Sequence, residues 1–355
     1  IEPVDEGAGH AQGGRSRTTS GLITDNREVH MDDGTRRDFM QQAAALGGGI
    51  VAGAVPALAA TSSQVTSQTE SRPMSKTSKL RDLLRRPDIT VVPEAHSVFA
   101  ARLAEINGFE AIYVGGNMMA AMYLGVEDWG LIQTSELVDI GGRIAGGVSV
   151  PAIVDADQGG ETSLNAYRAI QAYERAGIAA FHIEDTLNPK HMGEGRSELM
   201  PLDEMLQRIS AAVDARTDQD FVIVCRTDCL ILGPNRGETD EAIRRGVAFA
   251  EAGGDAFFVV GMRPEQAERI AREVPLPLIS LNIPVPEARD AGVRVAIHAV
   301  QVYQPVMKLY ETMILGLKGE GRFPRQERLS RETVAQVMRT AEYQRLAEQW
   351  SEIRG

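Results

Sequence analysis

The sequence predicts a (β/α)8 barrel of the TIM type with extra C-terminal helices, and three observations predict it. From Lys79 onward, short apolar runs alternate with amphipathic stretches of helical period, and eight such runs occur. Most are continuously apolar, as parallel strands covered on both faces must be. The competing layout, an open doubly wound sheet, has no G-x-G-x-x-G after the first run to favour it.

The expected strands are ITVVP (89–93), AIYVG (111–115), PAIVD (151–155), AAFHIE (179–184), FVIVCR (221–226), DAFFVVG (255–261), PLISLN (277–282) and VRVAIH (293–298). Helical stretches between them include 162–177, 202–216 and 239–254, several of them ending in the glycine that stops a helix. A final barrel helix is expected over 302–321. A further helix from Ser330 to Ile353 has no strand to follow, and is expected to pack on a neighbouring subunit.

Ahead of the barrel the composition changes. Residues 1–34 are rich in Gly, Asp and Ser without periodicity and read as disordered or as upstream translation. In 35–60, the pair Arg36–Arg37, a weakly apolar Ala/Gly stretch and an Ala-Leu-Ala end resemble a twin-arginine export signal. The stretch is too short and Gly-rich for a membrane span in the mature protein. Residues 61–78 read as a polar linker, which makes 79–355 the barrel with its C-terminal helices. Translation starting at or before Met31 gives an exported, periplasmic protein; a start at Met74 gives a cytoplasmic one. The net charge of −12 argues against nucleic acid or an anionic membrane as partner. Cys225 and Cys229 fit no zinc pattern and no disulfide framework.

Barrel enzymes place their chemistry at the carboxyl ends of the strands. Those ends carry Asp155 and Asp157, Glu184 and Asp185, Arg226 and Asp228, Asn282 and His298, with Lys190 just beyond. Asp155, Asp157 and Glu184 come from neighbouring strands, and carboxylates brought that close repel unless a cation lies among them. A hard divalent ion such as Mg2+, or Mn2+, suits these oxygens. Helix capping accounts for one such aspartate but not for the whole set.

Six stretches then carry a resemblance: GFEAIYVGGN, LGVEDWGLIQTSELV, PAIVDADQGG, AGIAAFHIEDTLNPK, DFVIVCRTD and AGGDAFFVVG. In this order, over roughly residues 79–320, the chain resembles the isocitrate lyase/phosphoenolpyruvate mutase superfamily. The resemblance implies a Mg2+-dependent barrel that makes or breaks C–C or C–P bonds in small 2-oxo or hydroxy acids. It also implies a homotetramer whose terminal helices are swapped between subunits. It places the metal set on Asp155, Asp157, Glu184 and Asp128, and substrate-carboxylate binding on Tyr113, Gly115, Gly116 and Asn117. Arg226 matches the arginine that binds and polarises substrate, and Lys190 the lysine at the start of a mobile gating loop. Asn282 is counted with the substrate-binding residues.

The departures matter as much. Isocitrate and methylisocitrate lyases of this superfamily carry K-[KR]-C-G-H, with the cysteine as acid/base. Here the stretch is PKHMGEG, with Met192 and Glu194 in place of cysteine and histidine. A thioether cannot transfer a proton. Val260 stands near the expected position of the lyase glutamate. IEDTLNP, VVGMR and GVRVAIHA resemble the oxaloacetate decarboxylase branch, whose active-site histidine is answered by His298, two positions early. His182 is expected to orient Glu184 or to pack, and His191 to act as a surrogate acid/base or to lie exposed. The expected activity is a C–C bond-cleaving lyase or decarboxylase acting on a small acid such as oxaloacetate. The alternatives are a 2-methylisocitrate- or dimethylmalate-type lyase, a C–P hydrolase or mutase, or an exported acid-binding protein without catalysis.

Overall fold

The computed structural model describes residues 74–192 and 197–350. The expectations for 1–34, 35–60 and most of 61–78, and the one for Glu194, fall outside these residues.

Eight parallel strands follow in chain order: β1 (Thr90–Pro93), β2 (Ile112–Val114), β3 (Ala152–Asp155), β4 (Ala180–Glu184), β5 (Val222–Thr227), β6 (Ala256–Val259), β7 (Leu278–Leu281) and β8 (Val295–His298). Each pairs with its sequence neighbour from β2 to β8, and β8 pairs with β1. The seam between β1 and β2 is joined by a parallel bridge of Glu94 to Tyr113 and by the Ala95 N–H donating to the Tyr113 carbonyl at 2.9 Å. The expected (β/α)8 barrel is therefore the observed one.

Side chains alternate across this wall. Val92, Tyr113, Ile153, Ala180, Val222, Val224, Phe258, Ile279, Val295 and Ile297 form an interior cluster. Ile112, Val154, Phe181, Ile183, Ile223, Phe257, Val259 and Ala296 belong to the larger layer beneath the helices. Two apolar faces on each strand explain why the runs read as continuous rather than alternating.

The helices are α1 (Lys76–Arg85), α2 (Val98–Ile106), α3 (Gly116–Met119, continued by a π turn to Leu124), α4 (Thr134–Gly146), α5 (Ser163–Arg175), α6 (Leu202–Ala215), α7 (Thr239–Glu251), α8 (Pro264–Glu273) and α9 (Val285–Asp290). The start of α5 shows why its boundary was legible. The Thr162 side chain accepts from the Asn165 N–H, and the Asn165 side chain returns the bond. The turn after it is taken by Gly177 at a φ of 72°, where a side chain would be strained.

Two boundaries differ from expectation. Helix α1 starts at Lys76, capped by Ser75, inside the stretch read as linker. Its polar start hides Leu80, Leu83 and Leu84, which join the interior cluster and close the amino-terminal end of the barrel. At the other end of the chain, α10 (Tyr303–Glu320) is followed by α11 (Arg331–Val337) and α12 (Thr340–Gln349) rather than by one helix. Arg339, at a φ of 55°, breaks that run. Helix α10 buries only Tyr303, while Leu309, Tyr310, Ile314 and Leu315 stay exposed. Among the described residues no helix is long and apolar enough to cross a membrane.

Candidate active site

Strand parity decides which expected residues meet. Glu94, Tyr113, Gly115, Asp155, Asp157, Glu184, Arg226, Asp228 and Val260 share the parity of the interior cluster at the carboxyl ends of their strands. The register sets Asp155 beside His182 and Glu184 beside Arg226.

Lys190 lies at the centre. Its Nζ is 2.5 Å from Asp157 Oδ1 and 3.2 Å from both Glu184 Oε1 and Asp128 Oδ1. Although it was read as the start of a travelling loop, the side chain is wholly buried among the acids. Burial lowers the affinity of this amine for its proton, but Glu184, Asp157, Asp155 and Asp128 overcome that and raise its pKa well above the ordinary value.

Arg226 is held as firmly. Its Nε and Nη2 donate to the two Asp228 carboxylate oxygens at 2.8 and 3.0 Å, and its Nη1 lies 2.8 Å from Glu184 Oε2. The guanidinium carbon sits 5.6 Å from the centre of the Phe258 ring. His191 bridges Asp128 and Asp228, with ring nitrogens 3.1 and 3.4 Å from their oxygens. Burial disfavours its charge, but the two carboxylates push its pKa up to about 10. His182 is fully buried, with Nε2 2.9 Å from the Tyr113 hydroxyl and 3.5 Å from Asp155 Oδ2. Burial takes its pKa down to about 4, so it is neutral near pH 7.

The carboxylates divide in two. Burial opposes ionisation of Asp155, yet His182, Lys190 and Arg226 hold its pKa well below the usual range. Burial first, then the Asp155 charge, pushes Asp157 up to about 6. Burial likewise pushes Glu184 up to about 8. Such a split is what closely packed acids show when positive charge is short.

A metal fits this donor set. Among the described residues one ligand atom each from Asp155, His182 and Glu184 lie within 4.8 Å of one another, while Asp157 and Asp128 join the cluster through the Lys190 Nζ that sits between them. Asp128 Oδ1 and Glu184 Oε2 are buried and accept no well-aligned hydrogen bond, their contacts being the ion pairs to Lys190 and Arg226, so an ion in the place of Lys190 Nζ would find lone pairs there.

A cavity of about 170 Å3 opens onto the cluster. Its lining combines the polar Asp128, Asp155, His191, Arg226, Tyr113 and Asn117 with Gly115, Gly116 and the apolar Phe258, Val260, Leu281 and Ala299. Its size suits a small acid rather than a cofactor. The Gly116 N–H is already donated to Asp155 Oδ2 at 2.8 Å, so this amide orients a carboxylate of the protein. Asn117 Oδ1 accepts from the Tyr303 hydroxyl.

Two expected residues are not brought to the cavity. His298 alternates with Ile297, an interior residue, and so faces the other side of the wall; its half-buried ring leaves Nε2 without a partner. Asn282 turns back on the chain, its Oδ1 accepting from the Ala299 N–H at 3.0 Å. Met192 donates its N–H to Ser197 Oγ at 3.1 Å and is not among the cavity-lining residues.

One residue escaped the sequence reading. Glu94 follows β1, is 4% exposed, and lines the cavity. A lone acid after Pro93 resembles a helix-entry residue, but its spacing of two from interior Val92 was the available signal.

A barrel with an acid pocket at its carboxyl end, sized for a small acid, defines a small-acid enzyme class. Residues 80–317 match the family described as phosphoenolpyruvate phosphomutase. The chain belongs to the phosphoenolpyruvate mutase/isocitrate lyase superfamily. It is 37% identical to the 2,3-dimethylmalate lyase of Eubacterium barkeri over 205 residues, 57% of this chain and 69% of that one. It is 35% identical to the oxaloacetate decarboxylase of Chromohalobacter salexigens over 237 residues, 64% of this chain and 80% of that one. Among solved structures, oxaloacetate acetylhydrolase with the inhibitor 3,3-difluorooxalacetate superposes with a TM-score of 0.72 at 27% identity, covering 78% of this chain and 97% of that one. A phosphonopyruvate hydrolase complexed with oxalate and Mg2+ superposes at 0.68 and 27% identity, covering 78% and 98%.

Proposed function

We propose that this lyase cleaves a C–C bond in a small 2-oxo dicarboxylic acid, with oxaloacetate the best fit and Mg2+ as cofactor. The observation that carries the proposal is the small cavity lined by Arg226 and the acids Asp128 and Asp155 together with the apolar Phe258, Val260 and Leu281. Relatives named oxaloacetate decarboxylase and the structure holding an oxaloacetate analogue support the substrate. The solved relative with oxalate and Mg2+ supports the metal.

Asp155, Asp157, Glu184 and Asp128 would hold the ion, with Lys190 withdrawing from their centre. Once bound, Mg2+ supplies Lewis-acid stabilisation to substrate oxygens that gain charge. Arg226, fixed from two sides by Asp228 and Glu184, presents its charge to the substrate carboxylate without reorganising. Phe258, Val260 and Leu281 exclude water from the reacting carbons. As CO2 leaves, the pyruvate enolate that remains lies against Arg226, and a proton completes the product.

NMR of the purified protein with Mg2+ and, separately, oxaloacetate, 2,3-dimethylmalate, 2-methylisocitrate and phosphonopyruvate tests this. Turnover of oxaloacetate that stops on adding a chelator is the expected result; turnover of none would leave an acid-binding protein. A dimethylmalate- or methylisocitrate-type lyase is the second reading, favoured by the relative at 37% identity. The absence of a thiol at Met192 weighs against it.

The exposed apolar face of α10 supports a homo-oligomer, taken here as a tetramer. A groove of about 780 Å3 between that face and Ala121 and Met122 is lined almost wholly by apolar side chains. Light scattering on the purified protein checks it. Export through Arg36–Arg37 is read from sequence alone, and cell fractionation tests it.

A further inference from the structure

Glu94 is the one carboxylate of the cavity that none of the roles above uses. It follows the end of β1 at the seam where the barrel closes on β2 and lines the cavity there. Its two oxygens have different surroundings. Oε2 accepts the Val300 N–H at 2.7 Å. Val300 adopts a φ of 67°, unusual for a β-branched residue, in the turn that delivers this bond. Oε1 has no donor among the described residues. It lies 2.7 Å from where a Cβ on Gly115 would stand, so the glycine gives it room in this position.

We propose that Glu94 is the proton donor that completes the reaction, the role that Met192 cannot fill. The inference rests on the lyase reading above. Breaking the C3–C4 bond of oxaloacetate leaves the electron pair on C3, as the enolate of pyruvate, while C4 departs as CO2. Carbon 3 then takes the proton of the Glu94 carboxylic acid. The O–H bond electrons remain on Glu94 as carboxylate, which the Val300 N–H stabilises, and bulk water returns the proton before the next cycle.

The surroundings of Glu94 favour this use. Tyr113 from β2, Asp155 from β3 and Tyr303 from α10 are coupled to its charge, and Asp128, His191 and Arg226 line the same cavity. Among the described residues neither cation forms an ion pair with Glu94, whose bonded partner is the Val300 N–H. Burial first, opposed by the Val300 N–H and reinforced by Asp155, pushes the Glu94 pKa up to about 7, where the acid and its conjugate base are both populated near neutrality. The metal-set acids cannot serve this way once they hold an ion, since ligation requires their ionised form.

The test uses Mg2+-loaded protein in D2O and follows the methyl protons of pyruvate by NMR, since a residue that protonates the enolate also removes a proton from the product. The native enzyme is expected to exchange them, and Glu94→Gln to lower that exchange by roughly a hundredfold or more. Oxalate binding, measured by calorimetry, is expected to stay within about threefold, because glutamine keeps both the shape and the acceptor for the Val300 N–H. Glu94→Asp, which retains a carboxyl group one methylene short, is expected to recover part of the exchange. A glutamine variant that folds, binds oxalate and exchanges at the native rate overturns the assignment while leaving the lyase reading intact. A native protein that turns over none of the panel acids overturns both.

Discussion

The two mouths of the barrel are built on opposite rules. At the amino-terminal mouth, α1 sets Leu80, Leu83 and Leu84 against the interior, and its half-buried arginine is paired. Arg81 reaches Asp255 at 3.0 Å, Arg216 reaches the same aspartate at 2.6 Å, and Asp255 also accepts the Ile223 N–H. At the carboxyl mouth, buried acids outnumber their cations and push one another's protons on or off. The first mouth is apolar packing edged by ion pairs, which is how stability is gained. The second holds charge in excess, which costs stability and leaves groups free to act on a ligand. Removing a side chain at one mouth should therefore damage the fold, and at the other only the chemistry.

The largest effect is expected at the carboxyl mouth. Asp157→Asn should lower turnover at least about a hundredfold, because it takes a charged ligand from the metal set. The same change should leave the melting temperature near pH 7 unchanged or raised, since burial and the Asp155 charge oppose ionisation of Asp157. Kinetics and thermal unfolding on one preparation check both, and a collapse in melting temperature would erase the contrast between the mouths.

The mirror experiment is Leu83→Ala, where a side chain 2% exposed leaves a cavity in the plug. It should cost about 2–5 kcal/mol in denaturant unfolding with kcat unchanged at temperatures where the variant stays folded.

A smaller effect depends on pH. With its folded pKa raised from 4.5 to about 7, Glu94 binds a proton on folding between those values. Its contribution to stability therefore falls as pH rises through that window and stays at the lower level above it. Relative to native protein, Glu94→Gln should be more stable at pH 8 than at pH 5, by about 1–3 kcal/mol across the window. Melts at both pH values decide it; parallel shifts would mean that Glu94 titrates at its ordinary value. The smallest effect belongs to Met192→Cys, which should change oxaloacetate turnover by less than about tenfold, or 1.4 kcal/mol, because this position lies outside the cavity lining.

How much of this was legible followed from periodicity. Strand-end acids in apolar runs, such as Asp155 and Glu184, announce themselves because a buried carboxylate needs a reason. His298 carries the same strand-end signal at β8, but alternation with the interior Ile297 sets it on the other face of the wall. Glu94 was passed over for the converse reason, a single acid beside a proline with no second acid near it. The burial of Lys190 had no local signal, since its partners come from residues 128, 157 and 184 and meet only after folding. The first helix was hidden by the polar residues that cap it.

The two glycines after β2 bear on how this enzyme can change. A side chain on Gly115 would meet Glu94 Oε1 at 2.7 Å, and one on Gly116 would meet Asp155 Oδ2 at 2.8 Å. Nearly any substitution at either position thus disturbs a charged group as well as the space around it. Val260 and Leu281, across the cavity, are partly buried and pack on the interior cluster without a polar bond to lose. Mutational drift toward a longer or branched acid accordingly has an open road through that wall and a blocked one through the floor. Directed libraries aimed at new substrates gain most by leaving the glycines fixed and varying those two residues.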